Sequence, residues 1–155
     1  MTSEYSAIET SLVIVLSEFN QSIIENLLQG AKDAFVHYGG KKSDLTIYRV
    51  PGAFEIPGTV MQLIKHHQDI HAILTLGSII KGETAHFEHI SSSVIDSLSK
   101  ISIAEDTTIP IINGILTTYS YQQAISRSDL RMKNKGAEVM KSAIDTIETY
   151  NKIKR

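Results

Sequence analysis

The chain has 155 residues, a length that suits one packed domain, and 42% of them are apolar, too many for a disordered chain. A formal net charge of −2 offers no basic field for nucleic acid, and the longest apolar runs, Ser11–Leu16 and Ala72–Leu76, fall far short of the roughly 20 residues of a membrane-spanning helix. The absence of cysteine excludes disulfides, thiolate catalysis and thiolate metal sites, and it fits a cytoplasmic protein.

The opening MTSEYSAIET has no basic segment followed by an apolar one, so no secretory signal is expected. Ser11–Leu16 is a continuous, β-branched run that reads as a buried parallel strand. Ile23, Ile24, Leu27, Leu28, Ala31, Ala34, Phe35 and Tyr38 then recur at helical spacing, and Gly39-Gly40 supplies a left-handed stop. Leu45–Val50 is a second strand. Pro57 opens a helix that carries Val60, Met61, Leu63 and Ile64 inward.

A third strand, Ala72–Leu76, is followed by Gly77. Thr84 is expected to cap a long helix bearing Phe87, Ile90, Val94, Leu98 and Ile101. The fourth strand is Ile109–Leu116, and Tyr121–Ile125 reads as a short helix. From about Asn134, the residues Ala137, Met140, Ala143, Ile144, Ile147 and Tyr150 describe a terminal helix.

This alternation predicts a single domain over 1–155 with a short N-terminal arm, residues 1–10. Its class is α/β: a three-layer α/β/α flavodoxin-like fold whose four-stranded parallel sheet has the order 2-1-3-4. A sheet this small leaves edges, and the first ten residues, with no helical pattern, are suited to extend a neighbour's sheet in a cyclic homo-oligomer.

In such a sheet, ligands bind outside the carboxyl ends of the strands, so the segments after the strands are the places to search. In the first, Phe19 offers a face that stacks on a planar heterocycle, against the plainer reading of a residue tucked under the helix. In the second, Pro51 and Gly52 force a turn that frees two backbone N–H groups between Ala53 and Glu55. Glu55 adds an acceptor, although an ordinary turn with a solvated glutamate has the same pattern.

The third segment, Gly77–His86, is the richest. Gly77 and Gly82 allow close backbone approach, the helix start at Thr84 is a ready anion site, and Lys81 adds a cation beside it. His86 stands where a proton shuttle for neutral pH would stand, against the reading of a surface histidine. His86 and His89 share a helix face, but no third ligand follows at metal spacing. His66, His67 and His71 read as solvated residues, so no metal site is expected. Further on, Arg127 and Lys135 bracket a polar stretch. A guanidinium is the natural fork for a phosphate, whereas Arg131 and Lys133 read as a solvated basic loop.

Phe19-Asn20, VPGAFEIP at 50–57, GSIIKGETAH at 77–86, NGILTT at 113–118 and NKG at 134–136 together resemble the lumazine synthase (6,7-dimethyl-8-ribityllumazine synthase) family over nearly the whole chain. The resemblance implies a cofactor-free transferase of riboflavin biosynthesis. Its reaction joins 5-amino-6-(D-ribitylamino)uracil to 3,4-dihydroxy-2-butanone 4-phosphate with release of phosphate and water. It also implies that Phe19 stacks on the pyrimidine, that Ala53, Phe54 and Glu55 contact the ring and ribityl chain, and that Ser78, Ile79 and Ile80 line the same pocket. Glu83, Thr84 and Arg127 fall at the phosphate site, His86 at the proton-transfer position and Lys135 at a further active-site position.

Three residues depart from the family's pattern. Lys81 replaces an arginine, Glu83 a small residue, and Asn113 an aromatic that covers the pyrimidine. The resemblance further implies pentamers with sites shared between neighbouring subunits, open to decamers or icosahedral 60-mers, and riboflavin synthase as a partner. The alternative class is a non-catalytic flavin- or lumazine-binding relative. A flavodoxin-type FMN carrier is disfavoured, because Ser17-Glu-Phe-Asn20 lacks the Ser/Thr/Gly-rich loop that FMN's phosphate needs.

Overall fold

The computed structural model describes residues 6–155. Nine principal elements alternate along the chain: β1 (Leu12–Ser17), α1 (Gln21–His37), β2 (Leu45–Val50), α2 (Ile56–His66), β3 (Ala72–Ile80), α3 (His86–Ser102), β4 (Ile111–Thr118), α4 (Tyr121–Ser128) and α5 (Lys135–Lys154). Short 3-10 turns occupy Lys42–Asp44 and Ala53–Glu55. The four strands form one parallel sheet in the order β2-β1-β3-β4, as the alternation predicts.

The pleat sends alternate side chains to opposite layers. Leu12, Ile14, Leu16, Leu74 and Leu76 pack under α1 and α5 with Ile23, Leu27, Phe35, Met140 and Ile144. Val13, Val15, Ile73 and Ile79 pack on the other face with Val60 and Leu63 of α2 and Val94 and Leu98 of α3. β1 is buried along its whole length, whereas edge strand β2 is exposed at Thr46, Tyr48 and Arg49.

Two glycines are fixed by geometry. Gly39, at φ +96°, ends α1, and the N–H groups of Gly39 and Gly40 donate to the carbonyls of Val36 and Phe35 as in a Schellman cap. Gly136 lies where α5 crosses α1, and a Cβ there would stand 2.1 Å from the Leu27 carbonyl oxygen.

Several boundaries move from the expected ones. β3 continues through Gly77 to Ile80, because it pairs with β4 out to Ile80↔Thr118. β4 correspondingly spans Ile111–Thr118 rather than Ile109–Leu116. α4 extends to Ser128 and so includes Arg127 in its last turn. Tyr150, placed on the inward face of α5, is 37% exposed.

Thr84 does not stand at the cap of α3: the helix begins at His86 with Ala85 as its N-cap. The Thr84 hydroxyl still accepts the His86 N–H at 3.4 Å, so it supports the turn from one position earlier than the cap.

Of the expected N-terminal arm, residues 1–5 lie outside the described residues. Residues 6–10 fold onto their own chain: the Ala7 N–H donates to the Tyr38 carbonyl at 2.9 Å, and Ala7 is fully buried.

Candidate active site

A cavity of about 830 Å³ opens at the carboxyl end of the sheet. Phe19, the turn from Gly52 to Glu55, Ser78 to Ile80, Gly82, Thr84 and His86 line it. Three of the four strand-end segments therefore converge.

Phe19 is held out by the start of α1. Asn20, the N-cap, adopts a left-handed backbone at φ 64°, a conformation asparagine tolerates, and its Nδ2 reaches the Ser78 carbonyl at 3.4 Å. The Glu18 N–H donates to the Val50 carbonyl at 2.8 Å, which ties the ends of β1 and β2 together. With this turn fixed, Phe19 is 72% exposed. It is not tucked under the helix, and its face is available for stacking.

The turn after β2 closes on itself. The Glu55 N–H donates to the Gly52 carbonyl at 3.2 Å, and the Gly52 N–H donates to Glu55 Oε2 at 3.1 Å. Glu55 is thus preorganised by its own turn, and its N–H is committed locally. Ala53 is buried beneath the turn while Phe54 projects from it, 62% exposed.

β3 supplies the floor. Ile79 is buried, and the Ser78 hydroxyl is buried with no hydrogen-bond partner among the described residues. At the other wall, α3 aims its N-terminus, His86 and the partly buried Phe87 and Ile90 at the same space. The helix dipole makes this wall favourable for an anion. The His86 side chain is exposed, as a group that exchanges protons with a ligand must be.

The remaining expected residues lie outside this lining. Lys81 and Glu83 are exposed on the loop between β3 and α3. Asn113 is on β4, beside Leu98 and Ser99 of α3, and its Oδ1 accepts the Ile115 N–H at 2.9 Å. Arg127 is exposed at the end of α4, and Lys135 opens α5 with its Nζ on Glu138 at 2.8 Å. One chain therefore brings together the ring-binding and proton-transfer candidates but not the Arg127–Lys135 pair.

Tyr121 of α4 was missed. It lines the cavity, and its hydroxyl is 2.8 Å from that of Ser22. Its only signal in the sequence is its place directly after the cap residue Ser120, which a surface tyrosine would share.

The profile of the 6,7-dimethyl-8-ribityllumazine synthase family matches residues 9–151. Proteins of Chlamydia trachomatis serovars L2, L2b and D, each named 6,7-dimethyl-8-ribityllumazine synthase, are 37% identical over 145 residues, which cover 94% of this chain and 91% of each relative. A profile match that spans all four strands and the whole lining of the cavity, with relatives alike over almost their full length, assigns the chain to a family of transferases of riboflavin biosynthesis: it belongs to the 6,7-dimethyl-8-ribityllumazine synthase family.

Proposed function

We propose that the protein condenses 5-amino-6-(D-ribitylamino)uracil with 3,4-dihydroxy-2-butanone 4-phosphate to 6,7-dimethyl-8-ribityllumazine, releasing phosphate and water. The observation that carries this reading is one cavity in which an exposed aromatic face, a self-closed turn bearing Glu55, and a helix N-terminus bearing His86 face the same space.

Phe19 stacks on the pyrimidine. Ala53, Phe54 and Glu55 hold its polar edge and the ribityl chain, and Ser78, Ile79 and Ile80 form the floor. The backbone at Glu83 and Thr84, with Lys81, receives the phosphate at the start of α3. Glu83 is exposed on this loop, so its carboxylate is free to turn to solvent away from the phosphate. An amine of the pyrimidine attacks the ketone to give an imine, phosphate is eliminated, and the second amine closes the ring. Each step moves protons, which His86 accepts and returns. None needs a hydride or a Lewis acid, and most of the acceleration comes from holding two reactants in register.

The phosphate clamp is incomplete in one chain, because Arg127 and Lys135 lie away from the cavity. In our reading a neighbouring protomer supplies both, in a ring of five. Such rings can assemble further, and riboflavin synthase, which consumes the product, is the proposed partner in the cytoplasm.

Mixing the purified protein with both substrates tests the reading. It predicts lumazine absorbance rising together with released phosphate in equal amounts. Binding of the pyrimidine without either product would establish a carrier instead.

A further inference from the structure

Tyr119 follows β4 directly and is 71% exposed. It does not line the cavity, yet two of its contacts lead there. Its ring lies 6.0 Å from that of Phe87, tilted by 47°, and Phe87 is part of the cavity wall. The Lys81 ammonium stands over the same ring, 5.7 Å from its centroid. The Lys81 N–H donates to the Thr118 carbonyl at 2.9 Å, so the backbone of the loop after β3 is pinned beside Tyr119 as well.

We propose that Tyr119 is a positioning residue for the phosphate half of the site. Its ring restrains the Lys81 ammonium on the loop that leads into α3. The inference rests on the proposed phosphate site at Glu83, Thr84 and Lys81.

The chemistry of the residues supports the role. Lysine carries a point charge on a flexible stem, so without a contact its ammonium samples a wide volume of solvent. The negative face of an aromatic ring restrains a cation without neutralising it. Lys81 forms no ion pair among the described residues, whereas Lys135 is paired with Glu138. The charge of Lys81 therefore remains available to an anion, and the ring limits where it can be. Only the ring face is required, so the Tyr119 hydroxyl is dispensable.

The test uses inorganic phosphate as the probe, titrated calorimetrically into the full-length protein, so that it reads anion binding apart from turnover. Tyr119→Leu should weaken phosphate binding roughly two- to fivefold, the worth of an exposed cation–π contact. Tyr119→Phe should bind as the unaltered protein does. In a Lys81→Met background, Tyr119→Leu should cause no further loss, because its effect runs through Lys81. The KM for the pyrimidine should stay unchanged in Tyr119→Leu.

The proposal is overturned if Tyr119→Leu keeps full phosphate affinity, if Tyr119→Phe loses as much as Tyr119→Leu, or if the losses of Lys81→Met and Tyr119→Leu add. It is also overturned if the unaltered protein binds no inorganic phosphate. The turnover assay judges the underlying reading separately. The predicted phosphate pattern without lumazine formation would retain this proposal and remove the enzyme, and turnover with phosphate binding indifferent to Tyr119 would do the reverse.

Discussion

Phe19 and His86 divide the proposed work between binding and proton transfer. Phe19 offers a ring face that the left-handed backbone of Asn20 turns outward, while His86 rides on the first turn of α3. His86→Ala should slow turnover about 10²–10⁴-fold without abolishing it, because acid–base catalysis contributes only that share and positioning survives. Steady-state rates across pH check this, and an unchanged rate and profile would remove His86 from proton transfer. Arg127→Ala should weaken use of the butanone phosphate by about 1.5–3 kcal/mol, the worth of a charged hydrogen bond, while pyrimidine binding holds. Separate KM measurements for the two substrates check it, and equal losses for both would place Arg127 elsewhere. The positions of Phe19, Glu55 and His86 were legible in the sequence because each lies between the carboxyl end of a strand and the first turn of the helix that follows it. Tyr121 was not, since its tether to Ser22 joins residues 99 positions apart. The separation of Arg127 and Lys135 from the cavity was implied only by the shared sites of the family resemblance, because the pattern along the chain does not show where α4 and α5 pack.

Elements were read well where burial dictates them and less well where pairing does. The inward face of α1 was legible as a 3.6-residue repeat, and the buried residues Ile23, Ile24, Leu27, Leu28, Ala31, Ala34 and Phe35 follow it. Gly77 reads locally as the end of β3, but pairing with β4 carries the strand on to Ile80. Tertiary hydrogen bonding outweighs the glycine's weak strand preference there. The NKG segment shows a family motif serving packing. Asn134 caps α5 by accepting the Ala137 N–H at 3.3 Å, and Gly136 lets α5 approach α1. A Cβ at position 136 would press on backbone rather than on a mobile side chain. Gly136→Ala should therefore destabilise the protein by about 1–3 kcal/mol through overpacking. A fall in the urea midpoint at constant slope is the expected readout, and an unchanged midpoint would show that the two helices separate freely.

At the scale of the whole molecule, strand order and layering were legible because buried strands alternating with amphipathic helices leave few topologies. The assembly is a different matter, since no repeat in one chain encodes a count of five. The proposed ring accounts for an otherwise incomplete site: the cavity holds Phe19, Glu55 and His86, while Arg127 and Lys135 stand on other surfaces of the same chain. Light scattering should find an active assembly of five subunits or a multiple of it, and an active monomer would exclude the ring. Subunit complementation tests the shared site most directly. Phe19→Ala impairs the cavity and Arg127→Ala the clamp, so each protein alone should turn over slowly. Refolded together from the unfolded state, they should regain activity, because mixed rings contain interfaces that pair an intact cavity with an intact Arg127. Mixed rings with no more activity than the two parents would contradict a site completed across the interface.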